Sequence, residues 1–308
     1  MNPRLLFAGT PTFAVPALRA LIESGQSPLA VLTQPDRAAG RGRKMCPSPI
    51  KQLALDAGID VLQPERLKSS DLAPRLNDLQ PDLLITAAYG QILPRWLLAL
   101  PRHGCWNLHA SLLPRWRGAS PINQAILHGD AETGVSLMQM EAGLDTGPVL
   151  AQAATAIGDE ETAGELHDRL APMAASLLLQ TLRQLVDGTL PAAEPQDDAR
   201  ATHAPLISRG DASLDWQQPA RNLVRRVRAF NPWPVAFARL DGLDVRIFRA
   251  RAGGSVGQAP GTLVRGHGRP DAVVVACGEG SLEILELQAP ARKRVTAVDW
   301  LNAHPDWR

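Results

Sequence analysis

The chain has 308 residues, of which 45% are hydrophobic and 20% charged, and its formal net charge is +1. This ordinary composition excludes a disordered or fibrous protein, and the length allows two globular domains. No stretch approaches the roughly 20 apolar residues that a membrane helix needs, and the N-terminus lacks a signal-peptide pattern. We therefore expect no membrane partner.

The first 188 residues alternate between strand and helix patterns. The apolar runs predict strands at 5–8, 29–33, 60–62, 82–90, 105–109, 135–140 and 148–156. The helical spacings predict helices that end near Gly25 and that span 50–58, 68–79, 120–128 and 162–186. This alternation predicts an α/β catalytic domain over 1–188, with a Rossmann-like, mostly parallel sheet.

The rest of the chain changes character. Residues 189–205 are rich in Pro, Ala and Asp without periodicity, which is typical of a linker. A second domain, 206–308, begins with a predicted helix at 219–230. Short predicted strands follow at 235–240, 243–249, 261–264, 272–277 and 281–287. This spacing, with an Asp241-Gly242 turn, favours a small OB-like β-barrel.

Several common chemistries are excluded by missing patterns. The glycine turn FAGTPTF after the first strand has neither GxGxxG nor GxxxxGK[ST], so it is interpreted as a plain turn. Ser111 and Ser120 are not in a GxSxG elbow, which argues against a serine hydrolase. Cys46, Cys105 and Cys277 form no CxxC pair, so we expect no zinc site and no metal, and a reducing, cytoplasmic location.

Three polar residues could carry out acyl transfer to an amine. Asn107 and His109 lie two apart on a predicted strand and therefore point to the same face, and Asp145 lies between glycines in GLDTG. Asn107 could donate to an oxyanion, and His109 as imidazolium could donate to the same oxygen. Asp145 could stabilise that imidazolium or accept the amine proton through water. Taken alone, each motif is more often a satisfied polar pair or a turn, and spacing does not prove contact.

Positive charge is concentrated in two regions. Residues 209–308 carry 15 Lys and Arg against 10 Asp and Glu, whereas 1–208 carry 17 against 21. Within the acidic part, residues 36–51 contain Arg37, Arg41, Arg43, Lys44 and Lys51 against Asp36 alone. In the second domain, Arg221, Arg225, Arg226 and Arg228 recur at helical spacing. The two regions suggest an extended anionic partner, although a solvated loop and ordinary surface ion pairs remain alternatives.

Motifs along nearly the whole chain carry a family resemblance. The stretches NLHASLLPRWRGASPI and MQMEAGLDTG resemble the folate-dependent formyltransferases. The segments FAGTPTFAVPAL, TQPDRAAGRGRKMCPSPIK, AYGQILP, AFNPWP and APGT occur in the same order as in the group that formylates methionyl-tRNA. The central motif points to the superfamily, and the basic loop with AFNPWP points to the tRNA enzymes.

The resemblance implies the partners and the site. It implies formyl transfer from 10-formyltetrahydrofolate to the α-amino group of methionine on initiator tRNA, with Asn107, His109 and Asp145 as the catalytic residues. The residues implied to bind folate are Ser111, Leu112, Leu113, Pro114, Gln91, Ile92 and Leu93. Those expected to bind tRNA are Arg37, Arg41, Arg43, Lys44, Arg225 and Arg228.

Rival functions stay open at this point. A formyltransferase acting on a nucleotide-sugar or ribonucleotide amine, or a 10-formyltetrahydrofolate hydrolase, would use the same three residues. A tRNA-binding module with an inactive catalytic domain is a third possibility, against which the intact trio argues. Nothing in the sequence demands more than a monomer.

Overall fold

The computed structural model describes residues 2–39, 44–67 and 72–307. It divides into two compact units. The first comprises the chain through Pro121, with Thr133–Thr155 and His167–Ala204, and the second comprises Ile122–Glu132, Ala156–Leu166 and the chain from Pro205 onward. The predicted domains, 1–188 and 206–308, are continuous stretches of chain, whereas each of these units is made of three separate segments.

The first unit is built on a seven-stranded sheet, as the alternating pattern predicted. Its strands are β1 (Leu5–Gly9), β2 (Ala30–Leu32), β5 (Asp60–Leu62), β6 (Leu83–Ala87), β7 (Cys105–His109), β9 (Glu132–Gln139) and β10 (Val149–Ala156). They lie in the order β10-β9-β7-β6-β1-β2-β5. β1 pairs in parallel with β2 and β6, and β6 with β7, whereas β7 and β9 are antiparallel. Fully buried apolar runs such as β1 and β6 suit the middle of such a sheet.

Further elements lie along the same part of the chain. The helices are α1 (Val15–Glu23), α2 (Pro49–Asp56), α3 (Leu72–Asp78), α4 (Arg95–Leu98), α5 (Pro121–His128) and α6 (Ala163–Asp187). β3 (Arg37–Ala39) pairs with β4 (Lys44–Cys46), and β8 (Arg117–Gly118) pairs with β11 (His203–Ala204). The start of the helix predicted at 68–79 lies outside the described residues.

The second unit contains a small antiparallel β domain. Its elements are α7 (Ala220–Ala229), β12 (Ala236–Leu240), β13 (Leu243–Gly253), β14 (Leu263–Val264), β15 (Val273–Ala276), β16 (Ser281–Gln288), β17 (Val295–Thr296) and α8 (Ala297–Ala303). An irregularity in the pairing of β13 with β16 around Arg249 bends the long strand, as β-bulges do. Leu223 and Val227 of α7 join one apolar core with Ile247 and Ile284 of the sheet. The predicted class, α/β followed by a small β domain, is confirmed.

The predicted linker has a definite structure. Glu194 forms a bridge with Val149, the backbone of Asp198–Arg200 makes a turn of 3-10 helix, and β11 pairs with β8. The segment therefore belongs to the first unit through Ala204. Among the described residues, no helix is long and apolar enough to cross a membrane.

Candidate active site

β7 presents the two predicted polar residues at one edge of the sheet. Asn107 and His109 alternate along the strand and so face the same side. The parallel register of β6 and β7 places Thr86 directly beside Asn107. The antiparallel register with β9 places Ser136 beside His109. The pairing of three strands thus places one short polar residue beside each member of the pair.

The amide of Asn107 is oriented by its neighbours. The Thr86 hydroxyl donates to Asn107 Oδ1 at 2.7 Å, and Asn107 Nδ2 donates to Asp145 Oδ1 at 3.4 Å. Because an ionised carboxylate only accepts, the end of the amide that faces Asp145 must be the NH₂ end, and Oδ1 then faces the Thr86 hydroxyl. The NH₂ end is therefore directed toward Asp145 and the site.

Asp145 lies in the loop between β9 and β10 in an uncommon backbone conformation. Its φ is +53°, in the left-handed region that costs a non-glycine residue free energy. Its Oδ2 accepts the backbone N–H of Gly118 at 2.9 Å. Gly147 permits the tight loop, because a Cβ there would lie 1.8 Å from the carbonyl oxygen of Gln139.

His109 contacts protein groups through both ring nitrogens. Its Nε2 lies 2.8 Å from the carbonyl oxygen of Trp116, so this nitrogen carries a proton and donates. Its Nδ1 lies 3.6 Å from Asp145 Oδ2, an ion-pair distance rather than a hydrogen bond. The two side chains are 6% and 14% exposed, so their interaction is poorly screened by solvent.

This geometry narrows the roles that the sequence allowed. The sequence permitted His109 to donate to the same oxyanion as Asn107, but its Nε2 donates to Trp116 and its Nδ1 faces Asp145. The amide of Asn107 is the better-placed oxyanion donor. Asp145 is the one residue that contacts both of the others.

The residues expected to bind folate divide into buried and exposed members. Leu113 and Ser111 are buried, Leu112 is half-buried, and Ile92 is 91% exposed. The Ser111 hydroxyl donates to the carbonyl of Arg115, and Leu113 N–H donates to the buried Ser136 hydroxyl. Leu113 is therefore a core residue, as the sequence allowed for one of the two leucines.

The AYGQILP segment is also tied into the protein. The side chain of Gln91 donates to the carbonyl of Pro64 at 2.9 Å and accepts from Leu67 N–H at 3.2 Å. Leu93 is buried in the apolar core of the first unit. Pro114, which ends the SLLP run, is half-buried. Of the seven expected folate residues, Ile92 is therefore exposed, and Gln91, Leu112 and Pro114 are half-buried.

The described parts of the basic segment, β3 and β4, pair as a hairpin whose base is anchored. β3 and β4 pair with Arg37 opposite Cys46, and the side chain of Arg37 is exposed. Lys51 pairs with Asp36 at 2.7 Å, and Gln63 donates to the same carboxylate at 2.7 Å. The hydrogen bond from Lys51, followed by that from Gln63, lowers the pKa of Asp36 below its usual value.

Two of the residues expected to bind tRNA, Arg37 and Lys44, lie on β3 and β4. Lys44 begins β4, whereas Arg41 and Arg43 lie outside the described residues. Because Lys51 pairs with Asp36, the negative charge of the Asp36 carboxylate is neutralised at the base of the hairpin.

The arginines of α7 mostly bind their own unit. Arg228 donates to the carbonyls of Glu161 and Gly158 at 2.9 and 2.6 Å, and burial lowers its pKa. Arg226 donates to the carbonyls of Asp211 and Ser213. Arg221 pairs with Glu279. The guanidinium of Arg225 packs against Gly129, where a Cβ would meet it at 2.2 Å. This arrangement gives Arg228 a structural role that helical spacing did not indicate.

Sequence reasoning missed the residues that orient the trio. Thr86 carried a signal, because it is the polar residue in an otherwise apolar strand. Trp116, Arg117 and Gly118 lie in the stretch that carries the family resemblance, but no role was assigned to them. Gln196 carried no signal, since its contact with Asp145 joins residues 51 apart in the chain. Within the described residues, no group of three His, Cys, Asp or Glu side chains could hold a metal ion.

Two described sequence families match successive parts of the chain. Residues 3–182 match the family described as formyl transferase, and residues 206–305 match the formyl transferase C-terminal domain. The chain belongs to the formyl transferase family. Together these matches cover most of the chain, and the first includes Asn107, His109 and Asp145.

A relative supports this assignment, and solved structures share the fold. The methionyl-tRNA formyltransferase of Methylococcus capsulatus is 53% identical over 302 residues, covering 98% of this chain and 97% of that protein. An N-formyltransferase from Helicobacter canadensis, solved with folinic acid and dTDP-3-aminofucose, matches with a TM-score of 0.69 at 15% identity, covering 93% and 99% of the two chains.

A third match is to a longer protein. HypX from Aquifex aeolicus, solved with tetrahydrofolic acid, matches with a TM-score of 0.64 at 18% identity, covering 98% of this chain and 47% of that one. This chain therefore spans about half the length of HypX. At these identities the two solved structures show the shared fold.

Proposed function

We propose that this chain transfers a formyl group from 10-formyltetrahydrofolate to the α-amino group of methionine esterified to initiator tRNA. The observation that carries the proposal is the Asp145 carboxylate, which contacts Asn107 through Oδ1 and faces His109 through Oδ2. The 53% identity to a methionyl-tRNA formyltransferase over nearly the full length supports the choice of amine.

The reaction is a direct attack without an acyl-enzyme. The amine nitrogen bonds to the formyl carbon, the bond from that carbon to N10 of the folate breaks, the amine loses a proton and N10 gains one. Asn107 Nδ2 donates to the formyl oxygen as negative charge develops there. Loss of such a donor costs about 3–4 kcal/mol of transition-state stabilisation.

Asp145 is the base in this scheme. Its carboxylate accepts the amine proton directly or through one water, and His109 holds the carboxylate on the side away from Asn107. An α-amino group has a reference pKa of about 8, so a modest base suffices near neutral pH. The contact of Asp145 with Asn107 brings proton acceptor and oxyanion donor to the same reacting carbon.

The folate side of the site would be formed by the SLLP loop. Leu112, Pro114 and Ile92 offer apolar surface to a flat ring, while Ser111, Leu113, Gln91 and Leu93 hold the walls in place. Gln152 Nε2 donates to the carbonyl of Leu113 and to the Ser136 hydroxyl, which fixes the loop against β9 and β10.

The tRNA side would use the basic hairpin first. Arg37 and Lys44 lie on β3 and β4, Arg41 and Arg43 come between them in the sequence, and cations of this kind neutralise phosphates. Arg225 and Arg228 remain proposed contacts in the second unit, with Arg225 the stronger candidate because Arg228 already donates to two carbonyls. The proposal also includes the oligomeric state, the location and the domain connection. We propose that the protein acts as a monomer in the cytoplasm, with a linker at 189–205 between its two domains.

The test compares amine acceptors. The protein is incubated with labelled 10-formyltetrahydrofolate and with charged initiator tRNA, charged elongator tRNA or free methionine. We expect initiator tRNA to be labelled by far the fastest. Equal labelling of all three would contradict the tRNA assignment, and release of formate without labelling would indicate a hydrolase.

A further inference from the structure

Gln196 lies in the segment that its composition marked as a linker, yet its side chain reaches the Asp145 loop. Its Nε2 donates to the carbonyl of Asp145 at 2.8 Å and to the carbonyl of Gly147 at 2.6 Å. One amide group therefore joins both sides of Thr146. This contact clamps the backbone of the residue proposed as the base.

Arg117 determines which way the Gln196 amide points. Arg117 Nε donates to Gln196 Oε1 at 2.9 Å, and Arg117 Nη2 pairs with Asp198 at 2.8 Å. The Arg117 side chain is 5% exposed, whereas Asp198 is 84% exposed. Because a guanidinium only donates, Oε1 must face Arg117 and Nε2 must face the two carbonyls.

Gly118, the residue after Arg117, contacts the side-chain carboxylate of Asp145, whereas Gln196 contacts its backbone. Gly118 N–H donates to Asp145 Oδ2 at 2.9 Å. β8 is in turn held by the same linker segment, since Arg117 N–H donates to the carbonyl of Thr202 at 2.9 Å. A Cβ on Gly118 would lie 2.5 Å from the carbonyl oxygen of Ala204, so the two strands approach closely.

These contacts act on a residue that needs support. Asp145 has φ of +53°, and a non-glycine residue stays in that region only when surrounding contacts hold it there. Its side-chain contacts with the two other proposed catalytic residues are long, a 3.4 Å hydrogen bond to Asn107 and a 3.6 Å approach to His109. Small movements of the loop would therefore change both distances.

We propose that Gln196, oriented by Arg117, is a positioning residue that fixes the Asp145 backbone and thereby sets the carboxylate against Asn107 and His109. The inference rests on the proposed catalytic role of Asp145. It assigns to the linker segment a part in catalysis that its Pro- and Ala-rich composition does not indicate.

The test removes the amide while keeping the side-chain volume. Gln196→Met has a similar length but neither donates nor accepts a strong hydrogen bond, and Gln196→Glu keeps the acceptor for Arg117 but cannot donate to the carbonyls. For both we expect kcat to fall about 10- to 100-fold, the scale of a small misplacement of a catalytic group, with KM for both substrates nearly unchanged. Gln180→Met, at an exposed position of α6, is the matched control and should retain full activity.

A double-mutant cycle separates this inference from the proposed function. If Gln196 acts through Asp145, then Gln196→Met should cost little further turnover in an Asp145→Asn background. A normal kcat for both Gln196 variants, with Asp145→Asn inactive, would overturn the positioning role and leave the proposed function intact. Full activity of Asp145→Asn would overturn the role of Asp145 itself.

A structural role alone gives a different pattern. It would lower the melting temperature and the yield of Gln196→Met, with active folded molecules of normal kcat. Additive losses in the double mutant would likewise contradict action through Asp145.

Discussion

Two atoms of one side chain decide what Asn107 can do. Nδ2 must face Asp145, whose carboxylate only accepts, and Oδ1 then accepts from the Thr86 hydroxyl. An amide with its two ends exchanged would present an oxygen to a developing oxyanion and repel it. The proposed role of Asn107 therefore depends on the Asp145 carboxylate at one end of the amide, while the Thr86 hydroxyl holds the other end.

Removing the Asn107 amide should lower turnover more than removing the Thr86 hydroxyl. We expect Asn107→Ala to reduce kcat by about 100- to 1,000-fold, the effect of losing one oxyanion donor. Thr86→Val keeps the shape of the side chain and should give a smaller loss, because the Asn107 amide remains but is less well oriented. Single-turnover formylation of charged initiator tRNA measures both, and an unchanged rate for Asn107→Ala would remove it from its proposed role.

At the scale of elements, α6 begins with a capping box. Thr162 N–H and the Thr162 hydroxyl donate to Glu165 Oε2 at 2.8 Å, and Glu165 N–H donates back to the Thr162 hydroxyl at 3.3 Å. Arg249 pairs with the other oxygen of Glu165. The backbone N–H of Thr162 is the main cause of the lowered pKa of Glu165, followed by the Thr162 hydroxyl.

The lowered pKa gives a stability contribution with a definite pH dependence. A carboxyl group whose pKa is lower in the folded state stabilises the protein above its unfolded pKa, and this contribution is lost as pH falls through the folded value. We expect Glu165→Gln to lower the free energy of unfolding at pH 7 by up to about 1 kcal/mol, since the side chain is half-exposed and screened. The difference from the parent protein should shrink as the pH falls below 4.5.

Urea unfolding at pH 7 and at pH 3.5 measures this difference. Glu160→Gln removes a neighbouring exposed carboxylate outside the capping box and serves as the control. A difference for Glu165→Gln that stays constant between the two pH values would contradict the assignment.

At the scale of the whole molecule, the three thiols report on different places. Cys46 is exposed on β4 of the basic hairpin. Cys105 is buried in the apolar core of the first unit, and Cys277 is buried in the core of the β domain. Burial raises the pKa of Cys105 to about 12 and that of Cys277 to about 11. Thiolates at the two buried positions are therefore scarce near neutral pH.

This contrast makes Cys46 a probe of tRNA binding. We expect a maleimide to modify Cys46 first at pH 7.5, and charged initiator tRNA to slow that reaction several-fold if the hairpin contacts the tRNA. Mass spectrometry of the modified peptide measures the rate, with Cys46→Ser as the control for reaction elsewhere. Equal rates with and without saturating tRNA would argue that the hairpin lies outside the tRNA contact.

Local pattern predicted much of the fold because it depends on short-range periodicity. β5 and β7 begin and end where their apolar runs do, and α5 and α6 differ from their predicted ends by one residue. The sequence missed α4, α8 and the β3–β4 hairpin, which are short and carry weak patterns. Helical spacing likewise placed the α7 arginines on a surface but could not show that Arg228 binds two carbonyls.

The sequence by itself determined that Asn107 and His109 share one face, because strand residues alternate and the two lie on β7. It also carried the family resemblance that named both substrates. Only the tertiary structure decided that Asp145, 38 residues beyond Asn107, meets that amide, and that Gln196 and Gly118 hold it there. The reason is physical: alternation along a strand is local, whereas a contact between distant loops depends on how strands and backbone carbonyls pack together.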